Sequence, residues 1–120
     1  PLRNEKHIDE AIELLISKDA DAVVSVCEMN HSPLWSNTID NSLSMKDFLR
    51  DDILNKRSQD LEKYYRINGA IYICNTKKLL EEKSFFLRDG IFAYVMDQKI
   101  SIDIDEEIDF EFTKFIMDVK

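Results

Sequence analysis

The sequence predicts an α/β fold, in which buried strands of an open sheet alternate with amphipathic helices. Two observations support this prediction. Apolar residues recur at helical spacing near both ends of the chain, and short β-branched runs lie between them. With 120 residues, 44% of them hydrophobic, the chain is long enough to bury a core without covalent cross-links. We therefore expect one domain, carrying an insertion at residues 30–66.

The spacing of apolar residues predicts two helices and two strands in residues 7–83. A helix is predicted over residues 7–18, where isoleucine and leucine recur every three or four positions. A strand covered on both faces is predicted over residues 22–26, because alanine and valine follow one another almost without a break. Residues 69–74, GAIYIC, repeat that composition and predict a second buried strand. Asn75 is then the expected N-cap of a helix that continues to about Lys83.

The last third of the chain predicts two short strands and a final helix. The strands are expected at residues 91–96 and 99–102, and the helix follows from an apolar stripe at helical spacing. The stripe consists of Ile108, Phe112, Phe115, Ile116 and Val119. Cys27 and Cys74 lie in runs that predict buried strands, so reduced thiols are expected, as is typical of a cytoplasmic protein.

Residues 30–66 interrupt this alternation with turn formers and a mixed polar run. Six hydrophobic residues of this segment have few apolar neighbours in the sequence and are expected to stay exposed. They are Leu34, Trp35, Ile39, Met45, Phe48 and Leu49. Exposed hydrophobic residues of this kind are typical of protein interfaces, so we expect a dimer contact in this segment.

The overall charge and hydropathy exclude two classes of partner. A net charge of -8 argues against nucleic acid, because nucleic-acid-binding proteins offset phosphates with lysine and arginine. No run approaches the ~20 consecutive apolar residues that cross a bilayer, so no membrane span is expected. A polyanionic ligand remains compatible with this charge if a bound cation or local basic residues offset it.

The most chemically suggestive segment is SIDIDEEID at residues 101–109, where five acids occupy seven positions. At the end of a strand, Asp103 and Asp105 would point the same way, because side chains alternate with period two, and both could then reach one Mg²⁺. Mg²⁺ is often held by two carboxylates together with substrate phosphates. The alternative is that Asp105 caps the last helix and that Glu106, Glu107 and Asp109 complement its dipole.

Three motifs, taken in order, resemble a known family. NGAIYI at residues 68–73, the Phe85-Phe86 pair and SIDID at residues 101–105 are similar in wording and order to motifs of the CMP-sialic acid synthetases, or acylneuraminate cytidylyltransferases. The opening PLR with the following HIDEAIEL resembles the end of that family's QPTSPLR element and its next helix, and DAVVSV resembles the strand after it. The resemblance covers essentially the whole chain, which is expected to be the C-terminal portion of such an enzyme.

This resemblance implies a fold and an activity. The fold would be the C-terminal part of a Rossmann-like nucleotidyltransferase sheet, with residues 30–66 as an extended dimerisation arm and a homodimer as the assembly. The parent enzyme would transfer CMP from CTP to the anomeric hydroxyl of N-acetylneuraminic acid, releasing pyrophosphate, with Mg²⁺. The family's N-terminal CTP-binding loop has no counterpart here, since Gly69 and Gly90 are the chain's two glycines. The fragment alone is therefore expected to be inactive.

The resemblance also implies roles for individual residues. Asp103 and Asp105 would hold Mg²⁺ and help activate the sugar hydroxyl as catalytic residues. Tyr72, Phe85 and Phe86 would line the sugar pocket, packing against the N-acyl group and the ring. For these three aromatic residues the alternative is simple core packing.

Arginine is the residue expected for the sugar carboxylate, because its guanidinium pairs with carboxylates in a two-pronged geometry. Arg66, two residues before Asn68, matches the family pattern, and Asn68 would also bind substrate. Arg57 lies one residue before the position of a second family arginine, now Ser58. The alternative for both Arg57 and Arg66 is that they are exposed loop arginines that bind no ligand. A lysine that some members carry after a His-x-Pro-Leu segment is Trp35 here.

Two other functions remain open on the sequence. One is a non-catalytic module in which residues 30–66 hold two subunits together and the acids only cap a helix. The other is a cytidylyltransferase for a different nonulosonic acid, such as pseudaminic or legionaminic acid, because the shape of the sugar pocket rather than these motifs sets the acceptor.

Overall fold

The computed structural model describes residues 1–119, which divide into two compact units. The first unit comprises residues 1–28 and those from Arg66 onward, and the second comprises Met29–Tyr65. The α-helices and strands of residues 1–119 are α1 (Glu5–Ser17), β1 (Ala22–Glu28), β2 (Tyr65–Cys74), α2 (Thr76–Glu82), β3 (Ile91–Met96) and α3 (Glu107–Asp118). No helix within residues 1–119 has the length and apolar content needed to cross a membrane.

The sheet is a mixed, three-stranded sheet with the order β2-β1-β3. Strands β1 and β3 are parallel, in a register that runs from Ala22 opposite Ile91 to Cys27 opposite Met96. Helix α1 packs against both of these strands. The predicted α/β class is therefore confirmed.

The core lies between α1 and the sheet. Its buried members are Ala11 of α1, Val23 of β1, Ile71 of β2 and Met96 of β3. Strand β1 is buried along almost its whole length, which confirms the prediction that both of its faces are covered. It is the central strand, with hydrogen-bonded neighbours on both sides, and α1 packs against it.

Helix α1 begins two residues before the predicted start. The side chain of Asn4 accepts hydrogen bonds from the backbone N–H groups of Lys6 (3.0 Å) and His7 (3.2 Å). His7 Nδ1 in turn accepts one from the N–H of Asn4 (3.0 Å), which completes a capping box. The cap, rather than the first apolar residue of the stripe, therefore decides where the helix starts.

Strand β2 is longer and more exposed than predicted. It lies at an edge of the described sheet, and its two buried residues are Asn68 and Ile71. Regular alternation would bury residues an even number of positions apart, whereas these lie three apart. Gly69 between them has φ +69°, a conformation typical of a β-bulge that inserts one extra residue.

The predicted strand at residues 99–102 is wrong. Gln98–Ile100 form a short 3-10 helix instead, and Ser101 and Ile102 have no regular secondary structure. The side chain of Asp97 accepts a hydrogen bond from the N–H of Lys99 (2.9 Å), and the hydroxyl of Ser101 donates one to the carbonyl of Asp97 (2.7 Å). Such local bonds stabilise a turn in competition with an extended strand.

The second unit contains two short 3-10 helices, Pro33–Trp35 and Ser58–Asp60, and a fully buried Ile53. Of its six hydrophobic residues predicted to be exposed, Ile39 and Met45 are exposed and the other four are half-buried. Trp35, Met45, Phe48 and Leu49 line one cavity of about 480 Å³.

Candidate functional site

An aromatic cluster forms where α2 returns the chain to β2. The ring of Tyr72 on β2 lies 5.5 Å from that of Phe85 at an interplanar angle of 50°, and 6.2 Å from that of Phe86 at 78°. These are the tilted and edge-to-face geometries that aromatic pairs prefer. The structure thus brings together the three aromatic residues that the motifs singled out, although 12 residues separate Tyr72 from Phe85 in the sequence.

The turn after α2 positions the two phenylalanines. Lys83 ends α2 in the left-handed conformation, with φ 55°, and the hydroxyl of Ser84 accepts a hydrogen bond from the N–H of Phe86 (3.0 Å). Tyr72 is 40% exposed and Phe86 is 55% exposed, whereas Phe85 is half-buried. Core packing therefore does not account for the whole cluster, and two of its rings are accessible to a ligand.

Asp103 lies beside Gly69 of β2. A Cβ atom placed on Gly69 would lie 3.9 Å from Asp103 Oδ1, which is an ordinary van der Waals distance. The carboxylate of Asp103 is exposed to solvent. Strand β2 therefore carries both features: Gly69 faces Asp103, and Tyr72, three residues later, belongs to the aromatic cluster.

The structure corrects two expectations about the acidic segment. Asp103 and Asp105 do not lie in a strand, so period-two alternation does not set their directions. Asp105 is not the N-cap of α3 either, because that position is Glu106. Asp109 Oδ2 accepts hydrogen bonds from the backbone N–H groups of Asp105 (3.1 Å) and Glu106 (2.9 Å). The side chain of Asp105 is exposed and is not used as the cap.

The acidic segment supplies carboxylate oxygens, the type of ligand that Mg²⁺ prefers. Among residues 1–119 there is no group of three or more His, Cys, Asp or Glu side chains arranged to bind a metal ion. Mg²⁺ keeps several waters and commonly uses one or two carboxylates together with substrate phosphates. The exposed carboxylates of Asp103 and Asp105 match that chemistry.

Asn68 occupies a buried position in a polar network rather than an open surface. It is 3% exposed, and its Oδ1 accepts hydrogen bonds from the hydroxyl of Ser25 (2.6 Å) and the N–H of Ala70 (3.2 Å). Its Nδ2 donates to the hydroxyl of Ser101 (3.0 Å) and contacts the sulfur of Met96 (3.4 Å). Its amide therefore holds protein groups in place, in contrast to the predicted contact with substrate.

The two arginines lie in different units. Arg66 on β2 is exposed, and its Nη2 donates a hydrogen bond to the carbonyl of Ser101 (2.8 Å). Arg57 belongs to the second unit, where its Nε donates to Asp60 Oδ2 (3.3 Å). Arg66 is thus tied to the residue that begins the acidic segment.

Two residues of this region were missed by the sequence reasoning. Ser25 is fully buried within β1, and Ser101 is 3% exposed. The available signal was a serine inside the otherwise apolar run AVVSVC, because a buried hydroxyl needs a partner. The position of that partner, 43 residues away in the chain, could not be read from the run itself.

Comparison with known proteins adds a second line of information. The chain is 40% identical over 110 residues to the N-acylneuraminate cytidylyltransferase of Streptococcus agalactiae serotype V, a match that covers 92% of this chain and 26% of that protein. It is 36% identical over 112 residues to the N-acylneuraminate cytidylyltransferase of Escherichia coli O18:K1:H7, with the same coverage. The CMP-N,N'-diacetyllegionaminic acid synthase of Legionella pneumophila is 31% identical over 125 residues, 99% of this chain and 50% of that protein.

No protein-family model matches the chain. The chain spans about a quarter of the length of the first two relatives and half of the third. The matches extend over nearly all of its residues, including the three motifs that carried the resemblance. The resemblance drawn from the motifs is thereby confirmed: this chain is homologous to a segment of the N-acylneuraminate cytidylyltransferases.

Proposed function

We propose that this chain forms the sugar-binding and metal-binding part of a cytidylyltransferase. The full-length enzyme would transfer CMP from CTP to the anomeric hydroxyl of N-acetylneuraminic acid and release pyrophosphate. The observation that carries the proposal is 40% identity over 92% of the chain to a protein named for this reaction. The half-exposed aromatic cluster beside the strand that faces Asp103 is consistent with it.

In this proposal the aromatic cluster binds the sugar. Tyr72 and Phe86 present accessible rings whose edge-to-face contact restricts their orientation. Apolar ring faces of this kind suit the C–H groups of a sugar ring and the methyl of an N-acyl group. Phe85 supports Tyr72 from the half-buried side.

The acidic segment acts on the reacting groups. Asp103 and Asp105 would hold Mg²⁺, which when bound offsets the negative charge of the phosphates. Asp103 is exposed beside Gly69, so its carboxylate can accept a hydrogen bond from the sugar hydroxyl and orient that oxygen.

The sugar carboxylate is assigned to Arg66, with Arg57 as the second candidate. A guanidinium has five N–H donors, and the bond from Arg66 to the carbonyl of Ser101 uses one of them. The exposed guanidinium therefore retains donors for a two-pronged contact with a carboxylate. Asn68 is given a supporting role, because its amide is buried and hydrogen bonded within the protein.

The proposal extends to assembly and location. The first unit would be part of a Rossmann-like sheet, and residues 30–66 would be the dimerisation arm of a cytoplasmic homodimer. Exposed apolar side chains at Ile39, Leu43 and Met45 support an interface there. Sedimentation of the full-length protein tests this: we expect a dimer that Met45→Glu weakens, and a monomeric wild-type protein would reject the arm.

The activity is tested by measuring CMP transfer from CTP with the full-length protein. Asp103→Asn is expected to lower kcat by at least about 100-fold, and Phe86→Ala to raise the KM for the sugar roughly tenfold. Asp118→Asn, an exposed carboxylate near the end of α3, is the matched control and should behave as wild type. Wild-type protein without CMP transfer to any nonulosonic acid, or full activity in Asp103→Asn, would reject the assignment.

The acceptor is the open part of this proposal. The Legionella relative is named for N,N'-diacetyllegionaminic acid, so legionaminic and pseudaminic acids belong in the same assay beside N-acetylneuraminic acid. The highest kcat/KM identifies the acceptor. A non-catalytic assembly module is not favoured, because the relatives are named as enzymes.

A further inference from the structure

A continuous buried network of polar side chains crosses the first unit and ends at the acidic segment. Ser25 on β1 is 0% exposed, and Asn68 on β2 and Ser101 are each 3% exposed. Hydrogen bonds of 2.6 Å from Ser25 to Asn68 and of 3.0 Å from Asn68 to Ser101 join the three side chains. Polar groups are buried at a cost unless they are hydrogen bonded, so each link of this network depends on the others.

Ser101 is the point where the network leaves the core. Its hydroxyl accepts the bond from Asn68 and donates one to the carbonyl of Asp97 (2.7 Å), while its own carbonyl accepts from Arg66 Nη2 (2.8 Å). Both its side chain and its backbone are therefore held. Asp103 follows only two residues later.

The other end of the acidic segment is held separately. The carboxylate of Asp109, in the first turn of α3, accepts hydrogen bonds from the backbone N–H groups of Asp105 and Glu106. Residues 102–104 between the two anchors have no regular secondary structure. In the described part of the chain, Asp103 lies in no strand or helix, and the anchors at Ser101 and Asp109 flank it.

We propose that Ser101 is a positioning residue: held by Asn68 and Arg66, it fixes the segment that carries Asp103 and Asp105. The metal part of this inference rests on the proposed function, since the segment is aimed at Mg²⁺ only if those carboxylates bind it. Replacing groups that orient metal ligands typically lowers metal affinity by roughly 10- to 100-fold. The order of the segment is a property of the chain alone.

The first test measures that order without metal. Backbone order parameters of residues 102–104 are expected to fall from about 0.85 to about 0.6 or below in Ser101→Ala, and to stay high in Ser101→Thr, which keeps the hydroxyl. Ser17→Ala is the matched control, because the Ser17 hydroxyl also donates to a backbone carbonyl, that of Leu14 (3.2 Å), but at an exposed position of α1. Unchanged order in a folded Ser101→Ala protein would overturn the inference.

A second variant covers the case in which Ser101→Ala does not fold. Arg66 is exposed, so Arg66→Gln removes one bond to the carbonyl of Ser101 without opening a cavity. We expect greater mobility confined to residues 102–104, with the amides of β1 and β3 unchanged. Mobility that rises equally throughout the chain, or not at all, would contradict a positioning role.

The second test measures Mg²⁺ affinity of the same proteins by calorimetry. Ser101→Ala is expected to bind Mg²⁺ about tenfold more weakly than wild type, with recovery in Ser101→Thr and no loss in Ser17→Ala. A wild-type protein that binds no Mg²⁺ would reject the metal part of the proposed function. It would also reject the inference that the segment is positioned for Mg²⁺. The order parameters would still decide whether the network positions the segment.

Discussion

Replacing Gly69 by alanine is expected to destabilise the protein through its backbone alone. The φ angle of Gly69 is +69°, a region in which a residue with a Cβ atom loses roughly 1–2 kcal/mol. The added Cβ would meet its nearest neighbour, Asp103 Oδ1, at 3.9 Å, so no clash adds to that loss. The expected change in the free energy of unfolding is therefore about 1–2 kcal/mol.

Gly90 provides the matched comparison. Its φ angle of +68° gives the same backbone term, but its added Cβ would lie 2.9 Å from Asp21 Oδ2 and 3.4 Å from Asp21 Cβ. The backbone of Asp21, and with it the Cβ atom, is held because its N–H donates to the carbonyl of Gly90 (2.8 Å) and its carbonyl accepts from the N–H of Asn75 (2.7 Å). Overpacking of this kind adds about 1–3 kcal/mol, so Gly90→Ala should be the more destabilised protein.

Urea unfolding followed by circular dichroism measures both variants, and their difference isolates the contact with Asp21. Gly69→Asn is a useful third protein, because asparagine adopts positive φ more readily than alanine and should recover part of the loss. The reasoning is refuted if Gly69→Ala lies within about 0.5 kcal/mol of wild type, the range of ordinary surface substitutions. It is also refuted if the two alanine variants lose the same free energy.

Two further predictions concern other hydrogen bonds. Tyr94→Phe should lose about 1 kcal/mol, because the tyrosine hydroxyl donates to Glu10 Oε2 (2.6 Å). Burial, followed by the bond to Glu10, raises the pKa of Tyr94 to about 12 in the folded protein. Because the pKa of tyrosine in the unfolded chain is ~10, the stability of the wild type should fall between pH ~10 and pH ~12. An equal fall of the urea midpoint in Tyr94→Phe over this pH range would contradict the prediction. Asn75→Ala should lose about 1 kcal/mol, because its side chain accepts from the N–H groups of Lys77 and Lys78; Asn75→Asp should retain the cap in the same urea assay.

The parts of the fold that depend on local pattern could be predicted from the sequence. Strand β3 was predicted at residues 91–96 and lies there, and helices α1, α2 and α3 start within two residues of their expected positions. Asn75 caps α2 as predicted, since an asparagine before a helical run has one dominant local role. Each of these features is decided by neighbours within a few positions along the chain.

The position of each strand within the sheet could not be predicted in the same way. Strands β1 and β2 have similar compositions, yet β1 is central and buried while β2 is an edge strand with Gly69 at positive φ. The pattern at residues 99–102 also suggested a strand, but the bonds of Asp97 and Ser101 favour a turn. Periodicity reports which residues are apolar and leaves the choice of partner strand to long-range contacts.

The motifs named the residues of the candidate site, but they did not give the geometry of those residues. The contact of Tyr72 with Phe85 and Phe86 spans an intervening helix, and only the resemblance, rather than the spacing, linked them. Asn68 stands in the same motif as Tyr72, yet one side chain is buried in a network and the other is accessible. A motif therefore does not show whether a residue binds the ligand or holds other ligand-binding residues in place.

In the acidic segment, binding a ligand and positioning the residues that bind it must be tested separately. Alternation along a strand was the reason given for a shared direction of Asp103 and Asp105, and no strand exists there. In an irregular segment, the direction of a side chain depends on where the backbone is anchored, here at Ser101 and through Asp109. Substituting Asp103 tests whether a carboxylate is needed, while substituting Ser101 tests whether its position is set by the buried network. If both carboxylates matter but the anchor does not, bound substrate or metal, rather than the fold, must order the segment.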